Sequence, residues 1–208
     1  MRYALIRWVL KRLLRAGFRL SVIGEAHLPR TGPVILAANH PSQMDPVALG
    51  AALQRRVSFL AAAELLTMPV LGALIRPFHP IPIQRGQFDL RAIKECLNRL
   101  SRGDALLVFP EGGISRDGRL QPARDGLAFL AVRSGVPVIP IGIRGTYDVW
   151  PLGTRFPHRG RIEVRIGEAV IPQGDLSRSA QTALTARVMQ AIADLADEPP
   201  HPSLARAI

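Results

Sequence analysis

The sequence predicts one α/β domain with a mostly parallel central sheet flanked by helices and preceded by an N-terminal basic amphipathic helix. Three observations indicate this fold class. The chain has 208 residues, which suits a single domain with a substantial core. Hydrophobic residues make up 48% of it and charged residues 21%, a balance typical of globular proteins. Short apolar runs that end in turn residues alternate with segments of helical periodicity, as in a parallel sheet with crossover helices.

The first predicted element is a helix in RYALIRWVLKRLLRAGFRL, residues 2–20. Helical spacing gathers basic residues on one side and leaves a broad apolar arc. The basic residues gathered there are Arg7, Lys11, Arg12, Arg15 and Arg19. They interrupt the apolar run too often for a secretory signal, so residues 1–19 are expected to associate with a membrane surface. A helix docked on its own domain is the interpretation left open.

A domain over residues 20–196 is expected to follow, built from alternating strands and helices. The predicted strands are residues 34–39, 57–61, 80–83, 105–109, 137–143 and 161–166, and the predicted helices are 46–54, 87–101, 123–134 and 177–196. Prolines in the last segment predict a flexible tail over 197–208. Cys96, the single cysteine, is expected to be a packing residue.

Residues 57–75 form an apolar stretch that approaches the ~20 residues of a membrane-spanning helix. Glu64, Pro69 and Gly72 interrupt it. A strand followed by two short helices is the simpler interpretation, and it predicts a peripheral rather than an integral membrane protein.

The formal net charge is +11, and six basic residues precede the first acid, Glu25. Such a charge favours partners that carry phosphates. Aromatic residues are only 5% of the chain, which leaves few platforms for stacking bases. Because the charge is concentrated on an amphipathic helix, we expect anionic lipid rather than nucleic acid as the partner. The expected location is the cytoplasmic face of the cell membrane.

Polar residues follow three of the predicted strands. His40 and Asp45 come after 34–39, Arg85 after 80–83, and Glu111 with Gly112 after 105–109. Because function gathers at the carboxyl ends of parallel strands, these residues form a candidate site.

Each of these residues permits two interpretations. Asp45 before Pro46 is a favoured helix start, and an aspartate can also orient a histidine that acts as a general base; the two roles are compatible. Arg85 is a surface charge or a phosphate contact. Glycine lets backbone N–H groups approach an anion at Gly112, and Glu111 either orders that loop or binds a polar group of a substrate.

Taken in order, these motifs resemble the phospholipid/glycerol acyltransferase family, typified by bacterial lysophosphatidic acid acyltransferases. That family shows N-H-x-x-x-x-D, an arginine after a short apolar strand, F-P-E-G, and an apolar strand rich in valine and proline. The matching segments here are Asn39-His40 with Asp45, then Arg85, Phe109-Pro110-Glu111-Gly112, and residues 135–143. The resemblance covers roughly residues 18 to 195 and implies the glycerolipid acyltransferase fold.

The resemblance also implies a reaction. His40 would be the general base, Asp45 would orient it, and a fatty acyl group would pass from acyl-CoA or acyl carrier protein to a hydroxyl of a lysophospholipid or glycerol-phosphate acceptor, in phospholipid biosynthesis. The implied substrate-binding residues are Arg85, Phe109, Pro110, Glu111 and Gly112. No metal or other cofactor is expected besides the thioester co-substrate.

Four positions depart from the family pattern. Gly113 and Ile114 stand where threonine and arginine are common, and His79 and Ala62 replace a frequent glycine and lysine. A cationic contact is therefore missing beside Gly112, and the headgroup of the acceptor is left open.

Other functional classes explain less of the sequence. A non-catalytic lipid-binding protein accounts for the basic helix but not for chemistry at successive strand ends. A metal-dependent hydrolase on His40, Asp45, His79 and Glu111 lacks a compact ligand motif. A serine hydrolase on Ser42 or Ser115 lacks the G-x-S-x-G elbow.

Overall fold

The computed structural model describes residues 2–67, 75–76, 79–83 and 89–197. Its strands are β1 (Ser21–Ile23), β2 (Val34–Ala38), β3 (Val57–Ala62), β4 (Ile81–Ile83), β5 (Ala105–Val108), β6 (Val138–Arg144) and β7 (Glu163–Ile166). Its helices are α1 (Arg2–Phe18), α2 (Asp45–Ala52), α3 (Ala63–Thr67), α4 (Leu90–Ser101), α5 (Leu127–Ser134), α6 (Thr146–Val149) and α7 (Arg178–Ala196), with a 3-10 helix at Glu25–His27.

The strands form one mostly parallel sheet in the order β1-β7-β6-β2-β5-β3-β4. The five strands from β6 to β4 share one direction, whereas β7 is antiparallel to β6, and β1 is parallel to β7. The predicted fold class is therefore confirmed. Because β1 and β7 run the opposite way, their first residues lie at the same edge of the sheet as the carboxyl ends of β2, β5 and β6.

Strand β2 lies at the centre of the core and is buried along its whole length. Alternate side chains of a strand point to opposite faces, so Leu36 joins α1 and α2 on one face while Ile35 joins α4, α5 and α7 on the other. A strand buried on both faces is apolar throughout, which explains the unbroken run VILAA. His40 comes two residues after this strand, so its loop starts from the buried centre of the sheet.

Helix α7 packs closely against β6 on the second face. A Cβ atom added at Gly142 would lie 2.5 Å from the backbone carbon of Leu195, so a glycine is required at this contact. Cys96 in α4 is buried in the same layer, and burial raises the pKa of its thiol to about 12. The prediction of a packing cysteine is consistent with that environment.

The structure corrects several predicted boundaries. Strand β1, the 3-10 helix and α6 were not predicted, because three or four residues carry too little periodicity. Helix α5 begins at Leu127 rather than at residue 123, since the N–H group of Arg124 donates to the carbonyl of Pro110 and holds residues 123–126 in a loop. The second half of 57–75 lies largely outside the described residues.

Helix α1 is not a separate unit. Leu14 is buried in the core of the domain, and Leu10 and Phe18 pack against that core. The described part of α1 therefore shares the core of the domain that follows it. Most of the predicted tail lies outside the described residues, but Asp197 is anchored by ion pairs to Arg144 at 2.6 Å and Arg165 at 3.1 Å.

Candidate active site

The centre of the candidate site is a hydrogen-bonded pair at the carboxyl end of β2. His40 Nδ1 lies 2.8 Å from Asp45 Oδ2. The Asp45 side chain is fully buried and that of His40 is 12% exposed, so the imidazole is the member of the pair that a substrate can reach. Within the described part of the chain no residue bonds Nε2, the other ring nitrogen. The pairing predicted from a spacing of five residues is therefore present.

Asp45 does not cap helix α2. The N-cap position belongs to Met44, which makes no capping bond through its side chain. The carboxylate of Asp45 turns back to the preceding loop, where Oδ2 also accepts a hydrogen bond of 2.8 Å from the N–H group of Ser42. The predicted capping role is wrong, because the carboxylate bonds the loop before the helix rather than the first turn of the helix.

The environment of Asp45 sets its protonation. Burial raises the pKa of the carboxyl above its ordinary value of 3.8, while the hydrogen bonds and charge of His40 and the contacts with Thr146 and Ser42 lower it. The net effect is a raised pKa, and the hydrogen-bond donors offset part of the effect of burial on the carboxylate. A carboxylate so placed can orient an imidazole and stabilise its protonated form.

Glu111 ties two loops together behind His40. Its Oε1 accepts from the backbone N–H of His40 at 2.7 Å, and its Oε2 accepts from the N–H of Gln121 at 2.9 Å. The carbonyl of His40 in turn accepts from the N–H of Ser115 at 2.8 Å. The sequence left two roles open for Glu111, and these bonds show that it orders the loop.

Phe109 packs against His40, the candidate general base. The two rings are stacked with centroids 3.9 Å apart and an interplanar angle of 15°. Phe109 therefore limits the rotation of the imidazole, a contact that the motif F-P-E-G alone does not reveal. Pro110 is buried beside it.

Gly112 allows an arginine to approach this loop. Its φ is +71°, and an added Cβ atom would lie 2.6 Å from Cδ and 2.8 Å from Nε of Arg124. Arg124 is exposed, and no ion pair to it occurs among the described residues. Arg124 places a guanidinium next to Gly112. This loop otherwise lacks the arginine of the family pattern, because Gly113 and Ile114 stand in place of threonine and arginine. The sequence around Arg124, PARDG at residues 122–126, does not by itself predict this role.

Two side chains next to His40, those of Asn39 and Ser42, tie its loop to the chain segment 143–150. Asn39 Nδ2 donates to the carbonyl of Ile143 at 2.9 Å, and Oδ1 accepts from the N–H of the same residue at 2.7 Å. The amide thus continues the pairing of β2 with β6 by one step. Ser42 Oγ donates to the carbonyl of Trp150 at 2.6 Å.

The remaining predicted residues are distributed as follows. Arg85 lies outside the described residues. Lys11 forms an ion pair of 3.3 Å with Glu25, Arg7 is half-buried, and Arg12, Arg15 and Arg19 are exposed. Ser42 and Ser115 are buried, and their hydroxyls donate to Trp150 and Asp117.

The described side chains include no group of three or more His, Cys, Asp or Glu residues placed to hold a metal ion. None of the described helices combines the length and the apolar character that crossing a membrane requires.

Comparison with known proteins places this chain in a family. The sequence model described as Acyltransferase matches residues 19–144, which is more than half of the chain and includes both His40 and Glu111. The chain belongs to the acyltransferase family. The family resemblance carried by the sequence motifs is thereby confirmed.

Individual acyltransferases agree with this assignment. A lyso-ornithine lipid O-acyltransferase of Pseudomonas aeruginosa is 34% identical over 206 residues, covering 88% of this chain and 78% of its own. A chloroplast 1-acyl-sn-glycerol-3-phosphate acyltransferase of Brassica napus is 29% identical over 140 residues, covering 66% of this chain and 40% of its own. The chain thus spans less than half the length of that plant acyltransferase.

A solved acyltransferase structure confirms the fold. The crystal structure of the 1-acyl-sn-glycerophosphate (LPA) acyltransferase PlsC from Thermotoga maritima matches with a TM-score of 0.79 and 29% identity. The match covers 93% of this chain and 79% of that one. The glycerolipid acyltransferase fold implied by the motifs is therefore the fold of this chain.

Proposed function

We propose that the protein transfers a fatty acyl group from a thioester donor, acyl-CoA or acyl carrier protein, to a hydroxyl of a lysophospholipid or glycerol-phosphate acceptor. The observation that carries this proposal is the 2.8 Å contact between His40 Nδ1 and the buried carboxylate of Asp45. A non-catalytic lipid-binding protein gives no reason for a buried charge aligned with a reachable imidazole. Membership of the acyltransferase family supports the same choice.

The proposed reaction is a direct transfer. Asp45 accepts the Nδ1–H of His40 and leaves Nε2 as the basic nitrogen, which takes the proton of the acceptor hydroxyl. The acceptor oxygen forms a bond with the thioester carbonyl carbon, and the carbon–sulfur bond then breaks. The imidazolium returns its proton to the thiolate that leaves. The ester and the free thiol are the products, and His40 is restored.

The proposed place of action is the cytoplasmic face of the cell membrane, with the protein bound peripherally. Helix α1 exposes Trp8, Val9 and Leu13 to solvent, and Arg12 stacks over Trp8 with its guanidinium 4.9 Å from the ring centroid. An exposed apolar stripe flanked by arginines suits the boundary between anionic headgroups and acyl chains. Anionic lipid and the acceptor would then be met at the same surface.

A lyso-ornithine lipid is a second candidate acceptor. The observation that favours it is the loss of the usual threonine and arginine at Gly113 and Ile114, together with the 34% identity to a lyso-ornithine lipid O-acyltransferase. Ornithine is an amino acid, so such an acceptor need not present a phosphate to this loop. The exposed guanidinium of Arg124 can bind either a carboxylate or a phosphate.

The test is an assay of the purified protein with a thioester donor and a panel of lysolipids, with the products identified by mass. The panel includes lysophosphatidic acid and a lyso-ornithine lipid. We expect acylation of at least one acceptor, and a loss of about 10²- to 10⁴-fold in rate for His40→Ala, the usual contribution of a general base. His27→Ala is the matched control, since His27 bonds the carbonyl of Ile166 at the opposite edge of the sheet. Acyl transfer that persists in His40→Ala contradicts the assignment of the base.

A further inference from the structure

The hydroxyl of Thr146 is buried beside the candidate site. Thr146 is the first residue of α6, and its side chain is fully buried. Among the described residues, two buried side-chain oxygens lack a hydrogen bond of normal length and angle: Thr146 Oγ1 and Asp45 Oδ1. Buried polar atoms without partners are rare in folded proteins, so the occurrence of two close to one site requires an explanation.

The chain brings these two oxygens together. Residues 143–150 run alongside the loop of His40, because Asn39 bonds the backbone of Ile143 and Ser42 bonds the carbonyl of Trp150. Thr146 lies between these two points of attachment. Its hydroxyl is close enough to Asp45 to lower the pKa of the carboxyl. The unpartnered hydroxyl and the unpartnered carboxylate oxygen therefore belong to one contact.

We propose that Thr146 is a positioning residue whose hydroxyl donates to Asp45 Oδ1 and holds the carboxylate in line with His40. The inference rests on the proposed acyl transfer and deepens it. Asp45 Oδ2 already accepts from His40 Nδ1 and from the N–H of Ser42, so the hydroxyl of Thr146 is a donor that can serve the second oxygen. A hydrogen bond to a buried charge is stronger than one between neutral groups, and it fixes the plane of the carboxyl. Thr146 touches no reacting atom and acts only through Asp45.

The alternative role of Thr146 is simple packing, and three substitutions separate the two roles. Thr146→Val keeps the shape and removes the hydroxyl. Thr146→Ser keeps the hydroxyl and removes a methyl group. Thr146→Cys keeps the size and offers only a weak donor. Thr185→Val, at a half-buried position of α7, is the control for the exchange of threonine for valine.

The kinetic readout is the pH profile of acyl transfer. We expect Thr146→Val to lower kcat by about tenfold with little change in the KM of the acceptor, because the lost bond is to a charged group. We expect the acidic limb of the kcat/KM profile to move to higher pH. Loss of a donor destabilises the carboxylate of Asp45 and so favours uptake of a proton by the pair. Thr146→Ser should resemble the wild type, and Thr146→Cys should resemble Thr146→Val.

A second readout does not require activity. The carboxyl carbon of Asp45, followed by NMR in labelled protein, should titrate at higher pH in Thr146→Val than in the wild type. If the wild type transfers no acyl group, the proposed function fails, but this titration still tests the role of Thr146. An unchanged titration overturns the inference, as does a loss of rate that is equal at every pH. If Thr146→Val does not fold, the comparison of Thr146→Ser with Thr146→Cys decides in the same way.

Discussion

At the scale of single residues, the buried charge of Asp45 destabilises the folded state, and its role in the site explains why it is there. An acid whose pKa is higher in the folded than in the unfolded state takes up a proton on folding. Its charge therefore opposes folding above the folded-state pKa, and this opposition disappears below the ordinary value of 3.8. Since the carboxylate also makes no capping bond for α2, stability alone gives no reason to keep an ionised group there.

Asp45→Asn should therefore separate activity from stability. Asparagine can still accept from Ser42 and from His40 through its one carbonyl oxygen, because both bonds go to Oδ2 of Asp45. We expect turnover to fall by about 10³-fold or more, because a neutral amide does not stabilise the imidazolium that forms when His40 takes a proton. We expect the free energy of unfolding by urea at pH 7 to stay within about 1 kcal/mol of the wild type or to rise.

Asp194→Asn is the control for this exchange, because Asp194 is exposed on α7. Initial rates and urea unfolding are measured on both variants. Near-normal turnover in Asp45→Asn would return Asp45 to a structural role. A loss of several kcal/mol in stability with proportionate loss of rate would do the same.

The sequence could predict the pair at His40 and Asp45 but not its supports. Both members lie within one strand-loop-helix turn, so spacing and family motif were sufficient to find them. Asn39 reaches β6, Ser42 reaches Trp150, and Phe109 stacks on His40 from another strand. These contacts join residues about 70 to 110 positions apart, and only the order of strands in the sheet brings them together. The predicted capping role of Asp45 was wrong for the opposite reason. Asp45 before Pro46 is a favoured local pattern for a helix start, but the Asp45 carboxylate bonds the preceding loop instead.

At the scale of elements, helix α1 has two apolar faces with different partners. Leu14 belongs to the core, with 4% of its surface exposed, whereas Leu13 is 61% exposed and Trp8 54%. Deletion of the whole helix therefore mixes loss of the core with loss of a membrane contact. Periodicity located the helix within two residues but could not tell which side is docked, because docking depends on the packing of α2 against α1.

Point substitutions resolve the two faces of α1. The double variant Trp8→Ser/Leu13→Ser should bind vesicles that contain anionic phosphatidylglycerol at least tenfold more weakly, with an unchanged melting temperature. Full burial of each such side chain is worth about 1.5–3 kcal/mol, and insertion at an interface supplies part of that. Leu14→Ala should instead cost about 2–5 kcal/mol of stability.

Flotation with vesicles and thermal unfolding measure the two effects. Ile171→Ser is the matched control, since Ile171 is 54% exposed and follows Val170, which pairs with the start of β6 at the opposite edge of the sheet. Equal vesicle binding by the double variant and the wild type would rule out α1 as the anchor.

At the scale of the whole molecule, the sheet directs charge and chemistry to one edge. Because β1 runs opposite to β2, the end of α1 reaches the edge that carries His40, and Ile162 bonds the carbonyl of Phe18 there. The loop between α6 and β7 lies at this edge as well. It exposes Arg155 and Arg159 and contains no acidic residue after Asp148 and before Glu163. Part of the net charge of +11 therefore lies around the candidate site.

This arrangement predicts that salt acts on the encounter with the membrane and not on the chemical step. Raising NaCl from 0.01 to 1 M shortens the Debye length from about 30 Å to about 3 Å. With an acceptor embedded in anionic vesicles, the initial rate should fall at least tenfold across that range, because attraction of exposed arginines to lipid phosphates is screened. With a short-chain acceptor kept below its micellar concentration, the rate should change by less than about twofold, because the His40–Asp45 pair is buried and little screened. Neutral phosphatidylcholine vesicles are the control. An equally steep salt dependence with the soluble acceptor would place the electrostatic effect in binding of the headgroup within the site and would contradict a membrane-directed charge.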